Sequence, residues 1–158
     1  MKEIELTQGK VAIVDDDDYE WLNQWKWHFH NGYAVRTECE KRKFKTISMH
    51  AQILGWSFGV DVDHLDLNKL NNTRSNLRKC THSQNQHNRS KYANNISGYK
   101  GVFWHKHEKK WQAAIKANGK IIYLGYYADA QDAARAYDAA ALKYHGEFAR
   151  LNFQDVTK

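Results

Sequence analysis

The chain has 158 residues, 42% of them apolar and 13% aromatic, with a net charge of +6 and no proline. That length suits one domain or two small ones. No apolar run approaches the roughly 18 residues of a membrane span and the start lacks a signal-peptide pattern, so a soluble, non-secreted, cytoplasmic protein with no membrane partner is expected.

Residues 3–14 read as two short strands, Ile4–Leu6 and Val11–Val14, joined by a Gln8–Gly9 turn. The acidic run Asp15–Asp18 precedes Trp21, Leu22 and Trp25, spaced for one face of a short helix whose N-terminus favours negative charge. The run lacks the alternating ligands and distal Glu of a calcium loop. Trp27–His30 and Tyr33–Arg36 flank Asn31–Gly32, a strong hairpin signal. Lys43–Ser48 is a further strand, leading into a short helix around His50–Leu54. Val60–His64 alternates as a strand, Leu65–Asn76 is a polar, Asn-rich loop, and Leu77–Cys80 is a return strand. Thr81 and Gln84 form a capping-box pair that starts a helix over about Ser83–Tyr92. So small a unit must lean on the N-terminal sheet or on a bound ion.

A linker is expected at 93–97, separating residues 1–92 from 98–154. Gly101–Trp104, Trp111–Lys116 and Ile121–Tyr126 then read as three antiparallel strands. Asp129–Tyr144 reads as a helix with Asp129 as N-cap and Gly146 past its end. Its Ala130, Ala133, Ala134, Tyr137, Ala140, Ala141 and Tyr144 share one face. Tyr126, Tyr127 and Phe148 are expected to pack inside, and Arg135 and Arg150 to pair with Asp138 and Glu147.

Charge is unevenly placed. The 41 residues between Asp66 and Glu108 contain no Asp or Glu and carry Lys69, Arg74, Arg78, Lys79, Arg89, Lys91, Lys100 and Lys106, a window of +8 in a chain whose remainder is −2. A stretch without internal ion-pair partners points to a polyanion, with a salt slope of roughly −5 to −7 for six to eight phosphate contacts. Arg74, Arg78, Lys79, Arg89 and Lys91 are its candidate DNA contacts.

Within and beside that window lies a chemical constellation: Asp63–His64, then Asn76, then Asn85. Neighbours on a strand point to opposite sides, but at a strand end both can reach one cleft. Asn85, in the first turn of the following helix, could join Asp63 on one cation through hard oxygen donors. Such donors suit Mg²⁺ or Mn²⁺ better than Zn²⁺, and Cys39 and Cys80 form no paired thiolate motif. With one carboxylate available a two-metal clamp is not expected. His64 is the candidate general base, and Asn76 the group that braces the loop and fixes the imidazole.

Residues 49–89, MHAQILG…VDHLDLNKLNNTRSNLRKCTHSQNQHNR, resemble the catalytic core of HNH endonucleases, especially the phage homing type. The resemblance implies a ββα-metal fold with Asp63 and Asn85 as metal ligands, His64 as general base and Asn76 as the middle Asn. His50 stands in a Met-His pair typical of the family's upstream helix, as a structural residue or a phosphate contact. LTQGKVAIVDDDDYEWL and GYAVR are similar to the segment that precedes this core in phage proteins. Residues 97–153, with the YLG strand, the AARAYD helix and the closing LNF, resemble the plant ethylene-response-factor (Apetala-type) DNA-binding domain. That likeness implies a sheet laid in the major groove, with Lys100, Trp104, Lys110 and Lys116 at surface positions. Several arginines of the plant pattern are here Phe103, His105 and Ile121, and the first hairpin is one residue longer. Arginine on guanine is the commonest base readout, so its loss shifts or relaxes preference.

The sequence therefore implies an α+β chain: a small β scaffold (1–48) and nuclease core (about 49–92), then a three-stranded sheet on one helix. Its expected role is a metal-dependent endonuclease acting on double-stranded DNA as a monomer or weak dimer. A DNA-binding regulator without catalysis is the alternative, and RNA binding by the aromatic-basic segment a weaker one.

Overall fold

The computed structural model describes residues 1–55, 59–91 and 94–153, in two units, Met1–Asn85 and Gln86–Lys158. The first begins with β1 (Lys2–Glu5) and β2 (Val11–Val14), an antiparallel pair turned through a 3-10 segment at Thr7–Gly9. Asp15 then precedes α1 (Asp16–Leu22), with Asp16, Asp17 and Asp18 in its first turn. The helix ends before Trp25, which is placed by its rings instead: Trp21, Trp25 and Trp27 pack edge to face at 6.0 and 6.4 Å.

β3 (His28–His30), β4 (Tyr33–Glu40) and β5 (Lys43–Ser48) form a three-stranded antiparallel sheet. Asn31 and Gly32 turn the first hairpin with φ of 50° and 91°, left-handed values that the Asn-Gly pair tolerates best. α2 (Met49–Ile53) follows. Ile4, Val14, Leu22, Trp27, Met49, Ile53 and Leu77 meet in one core. Leu77 comes from β7 (Leu77–Cys80), the antiparallel partner of β6 (Asp61–His64). The small hairpin thus rests on the N-terminal sheet, as its size requires.

The connecting loop is also sewn to β2 by main chain: Ile13 N donates to Leu70 O and Asn72 N to Ile13 O, at 2.8 and 2.7 Å. Thr81 and Gln84 make the reciprocal capping bonds ahead of α3 (His82–His87). α3 is shorter than expected, because it buries no residue along its length and so has no apolar face to extend it. Tyr92, Ala93 and Gln154, where the expected helix end, linker start and domain end fall, lie outside the described residues.

The second unit carries β8 (Val102–His105), β9 (Lys110–Ala117) and β10 (Lys120–Tyr127), with β9 central, and α4 (Ala130–His145) against one face. Asp129 caps α4 through Gln131 N. Ala133, Ala134, Tyr137, Ala140 and Ala141 are buried, matching the expected stripe, whereas Tyr144 is exposed and the next residue, His145, is buried. Among the described residues no helix is long and apolar enough to cross a membrane.

Two expectations fail for local reasons. The β9–β10 register shifts between Tyr123 and Gly125, and this bulge turns Tyr126 outward, 46% exposed, and Tyr127 inward. Phe148 is buried as expected. Asp138 accepts from the main-chain N–H groups of Asn152 and Phe153, while Arg135 lies over the Phe153 ring. Asn152 also bonds both main-chain groups of Lys100, so the closing LNF ties the tail to the start of the sheet.

Gly101 has φ +76°, and a Cβ there would sit 1.9 Å from the Tyr137 ring. Gly101→Ala is therefore expected to destabilise the second unit by about 3 kcal/mol, from overpacking and left-handed strain together, read as a lowered denaturation midpoint by Trp fluorescence.

Candidate active site and nucleic-acid interface

β6 alternates, so Asp61 and Asp63 occupy one face and Val62 and His64 the other. Asp63 and His64 occupy the last two positions of the strand and each has its own set of partners.

On the first face Asp63, 3% exposed, is paired across the strands with Arg78, whose Nε and Nη2 donate to Oδ2 at 2.9 and 2.7 Å. Asp61, two residues earlier, lies 3.0 Å from His82 Nδ1 and receives Asn85 Nδ2 at 3.5 Å. Asn85 is thus brought to Asp61, a carboxylate that the sequence reading passed over. The signal was there: an i, i+2 pair on a strand shares a face, and a second carboxylate bears on the expectation of only one. Cys80 adjoins this face, and burial, with Asp63 and Asp61 adding to it, pushes its thiol up to about 11. The Asp61 and Asp63 carboxylates and the Asn85 amide are hard-oxygen donors that fit a divalent cation, with the His82 imidazole beside Asp61. Among the described residues no three His, Cys, Asp or Glu side chains form a metal cage.

On the second face His64 is 5% exposed. Its Nε2 lies 3.4 Å from Asn72 Oδ1, and its ring packs edge-on to His50 at 5.1 Å and tilted to Tyr33 at 6.1 Å. Burial holds its pKa below the usual 6.5, with Asn72, Asp66 and Asp63 pulling the other way and Lys69 adding to the depression. Burial, with His64 beside it, pushes His50 down to about 4. Both rings are therefore neutral at physiological pH.

Asn76 braces the loop as expected: Nδ2 donates to Asp66 Oδ1 and Asn71 O, both at 2.8 Å, and Oδ1 accepts from Asp66 N. The amide found at the imidazole is Asn72. Asp66 is the hub. Burial would raise its pKa, but bonds from Asn71, Asn68 N and Asn76 outweigh that and hold it low.

Part of the basic window is engaged within the fold. Arg74 grips the buried Asp18 with Nε and Nη2, each at 2.8 Å, and Arg78 holds Asp63. Lys91 Nζ donates to Gly98 O and Arg89 to Gln86. The Lys100 ammonium turns inward to the His87 carbonyl, and burial, with Arg150 and Arg89 nearby, pushes its pKa to about 8. Lys79, Lys110 and Lys116 are exposed. Trp104 packs against Trp111 on the helix-side row of the sheet, with ring centroids 5.0 Å apart.

Comparison with known proteins matches both halves. Residues 54–87 match the family described as HNH endonuclease, and residues 97–147 the AP2 domain. An uncharacterized HNH endonuclease of Acanthamoeba polyphaga mimivirus is 31% identical over 148 residues, covering 92% of this chain and 76% of that protein. An AP2-like ethylene-responsive transcription factor of Arabidopsis thaliana is 42% identical over 71 residues, or 44% of this chain and 20% of the plant protein. An APETALA2-like protein of Oryza sativa subsp. japonica is 44% identical over 57 residues, 36% of this chain and 13% of its own length. The chain thus spans a fifth or less of these plant relatives.

Arg78→Ala leaves the buried Asp63 without its cation. A loss of roughly 3–5 kcal/mol is expected for a broken buried pair, with part of it restored by millimolar Mg²⁺, measured as thermal midpoints with and without the ion.

Proposed function

This chain belongs to the HNH endonuclease family, and we propose that it hydrolyses phosphodiester bonds of duplex DNA with Mg²⁺ or Mn²⁺, its C-terminal sheet binding the duplex. A homing endonuclease of the phage type is the specific role that its motifs suit.

The observation that carries this reading is the end of β6, where a buried imidazole, His64, adjoins the buried carboxylate Asp63, with Asp61 and Asn85 meeting close by. In-line hydrolysis needs a base for the attacking water and hard-oxygen donors for an ion at the same phosphate, and both kinds of group are supplied by this short stretch. His64 is neutral because it is buried, so it accepts the proton of the attacking water. Asn72 holds one ring nitrogen, and the other axis of the ring is set by His50 and Tyr33. Asn76 acts at one remove, by holding the loop that carries Asn72. Asp63 and Asn85, with Asp61 beside them, would hold the ion, which when bound neutralises a nonbridging phosphate oxygen and steadies the departing oxygen. With an ion held at Asp63, Arg78 would be available to the DNA backbone.

A second reading, DNA binding without cleavage, draws on that same Asp63–Arg78 pair, which occupies a carboxylate the ion would use. It requires site-specific binding and no cleavage with any divalent ion.

Supercoiled plasmid incubated with Mg²⁺ should be nicked or cut, and chelator should stop it. His64→Ala should slow the reaction by about 10²–10⁴, the scale of general base catalysis; equal rates for wild type and variant would remove His64 from the chemistry. Because protonation inactivates the base and burial depresses its pKa, the rate should fall as pH drops through a midpoint below 6.5. For binding without the divalent ion, with Arg74, Arg78 and Lys100 engaged inside the fold, five of the window's eight cations remain, and the salt slope should be about −4.5, shallower than the range from the window's full charge.

A further inference from the structure

We propose that the outward face of the C-terminal sheet reads A·T base pairs in the major groove, with the Gln112 amide on adenine and Phe103, Ala114 and Ile121 on thymine methyl groups. The inference rests on the reading of this sheet as a duplex-binding surface and adds what it recognises.

The register defines the face. Phe103, Gln112 and Tyr126 form one row across the three strands, Ala114 and Tyr123 a second, and Lys116 and Ile121 a third. None of these side chains is needed by the core, which lies on the opposite side against α4. Yet the face is apolar at its centre: Phe103 is 52% exposed, Ile121 61% and Tyr123 68%. Among the described residues it carries no arginine, so the bidentate grip on guanine is missing.

Gln112 supplies a different pattern. Its amide carries a donor and an acceptor side by side, the complement of adenine N7 and N6. It sits on the central strand and is already oriented, with Nε2 directed at Tyr126 OH at 3.4 Å. The Tyr126 ring is braced edge-on by His105 at 5.1 Å. An amide held before binding loses little rotamer freedom on contact. Flanking apolar groups cannot bond to a guanine or cytosine edge, but they fit the C5-methyl of thymine, the one apolar group in the groove.

Lys110 and Lys116 stand at the two ends of β9 and are exposed on this face. They are about 20 Å apart along the strand, which spans a major groove about 12 Å wide. Ammonium groups so placed meet phosphates and set position, leaving base choice to the residues between them.

The test uses the full chain in chelator, so that binding is read without cleavage. A randomised duplex pool is enriched by binding and sequenced, and the selected duplex is then compared with the same duplex carrying deoxyuridine for thymidine. The expected result is an A·T-rich core, with binding weakened about three- to fivefold for each contacted methyl that uracil removes. Gln112→Ala should lose at least about fivefold of the preference for the selected site, keeping affinity for unselected duplex, and Phe103→Arg should move the enrichment toward guanine. Guanine-rich selection by the wild type, equal binding of uracil duplex, or unchanged preference in Gln112→Ala would each overturn the assignment while leaving duplex binding intact. Tighter binding to either single strand than to the duplex would instead overturn the duplex reading on which the assignment rests.

Discussion

The loop from Leu65 to Asn76 has almost no apolar interior, so hydrogen bonds must give it shape. The Asp66 carboxylate accepts three of them, from Asn68, Asn71 and Asn76, while Asn76 closes the neck by bonding Asp66 and Asn71 in return. A carboxylate with several donors is stabilised in its charged form and orders those donors. Through this hub Asn72 is set against His64, and through Asn72 the imidazole keeps one orientation. The side chain at the reacting end of the proposed mechanism is thus positioned by a group that touches no substrate.

The same economy appears in the ion pairs. Asp18 and Asp63 are almost fully buried, and each is met by an arginine from the basic stretch. These guanidiniums do structural duty in the free protein. They therefore divide the basic window into cations that hold the fold and cations, such as Lys79, that face solvent. Charge counted along the sequence overstates what a polyanion can meet.

What was legible in the sequence was local. Asn31–Gly32, the Thr81–Gln84 box, the Asp129 cap and the alanine face of α4 each declare themselves within a few residues, because turn and cap chemistry acts over that range. What was not legible involved either a shift of one residue or a partner far along the chain. Nothing around Tyr123 and Gly125 announces a bulge, and without it Tyr126 reads as an inward residue. Asp18 and Arg74 lie 56 residues apart, and no spacing rule connects them. Asp61 was visible in principle, but its value as a neighbour of Asn85 appears only when α3 folds back on β6.

The main-chain bonds that join Ile13 to Leu70 and Asn72 carry a consequence for how this unit is inherited. The segment that matches the family, 54–87, cannot be cut free as a portable cassette, since its loop borrows two hydrogen bonds and Leu77 borrows its hydrophobic neighbours from strands at the opposite terminus of the unit. Recombination that exchanged only the matched segment would leave a loop without its hem. Exchange of everything from the first strand onward would carry the fold intact, and the contacts closed across almost sixty residues would make that larger piece the smallest heritable block.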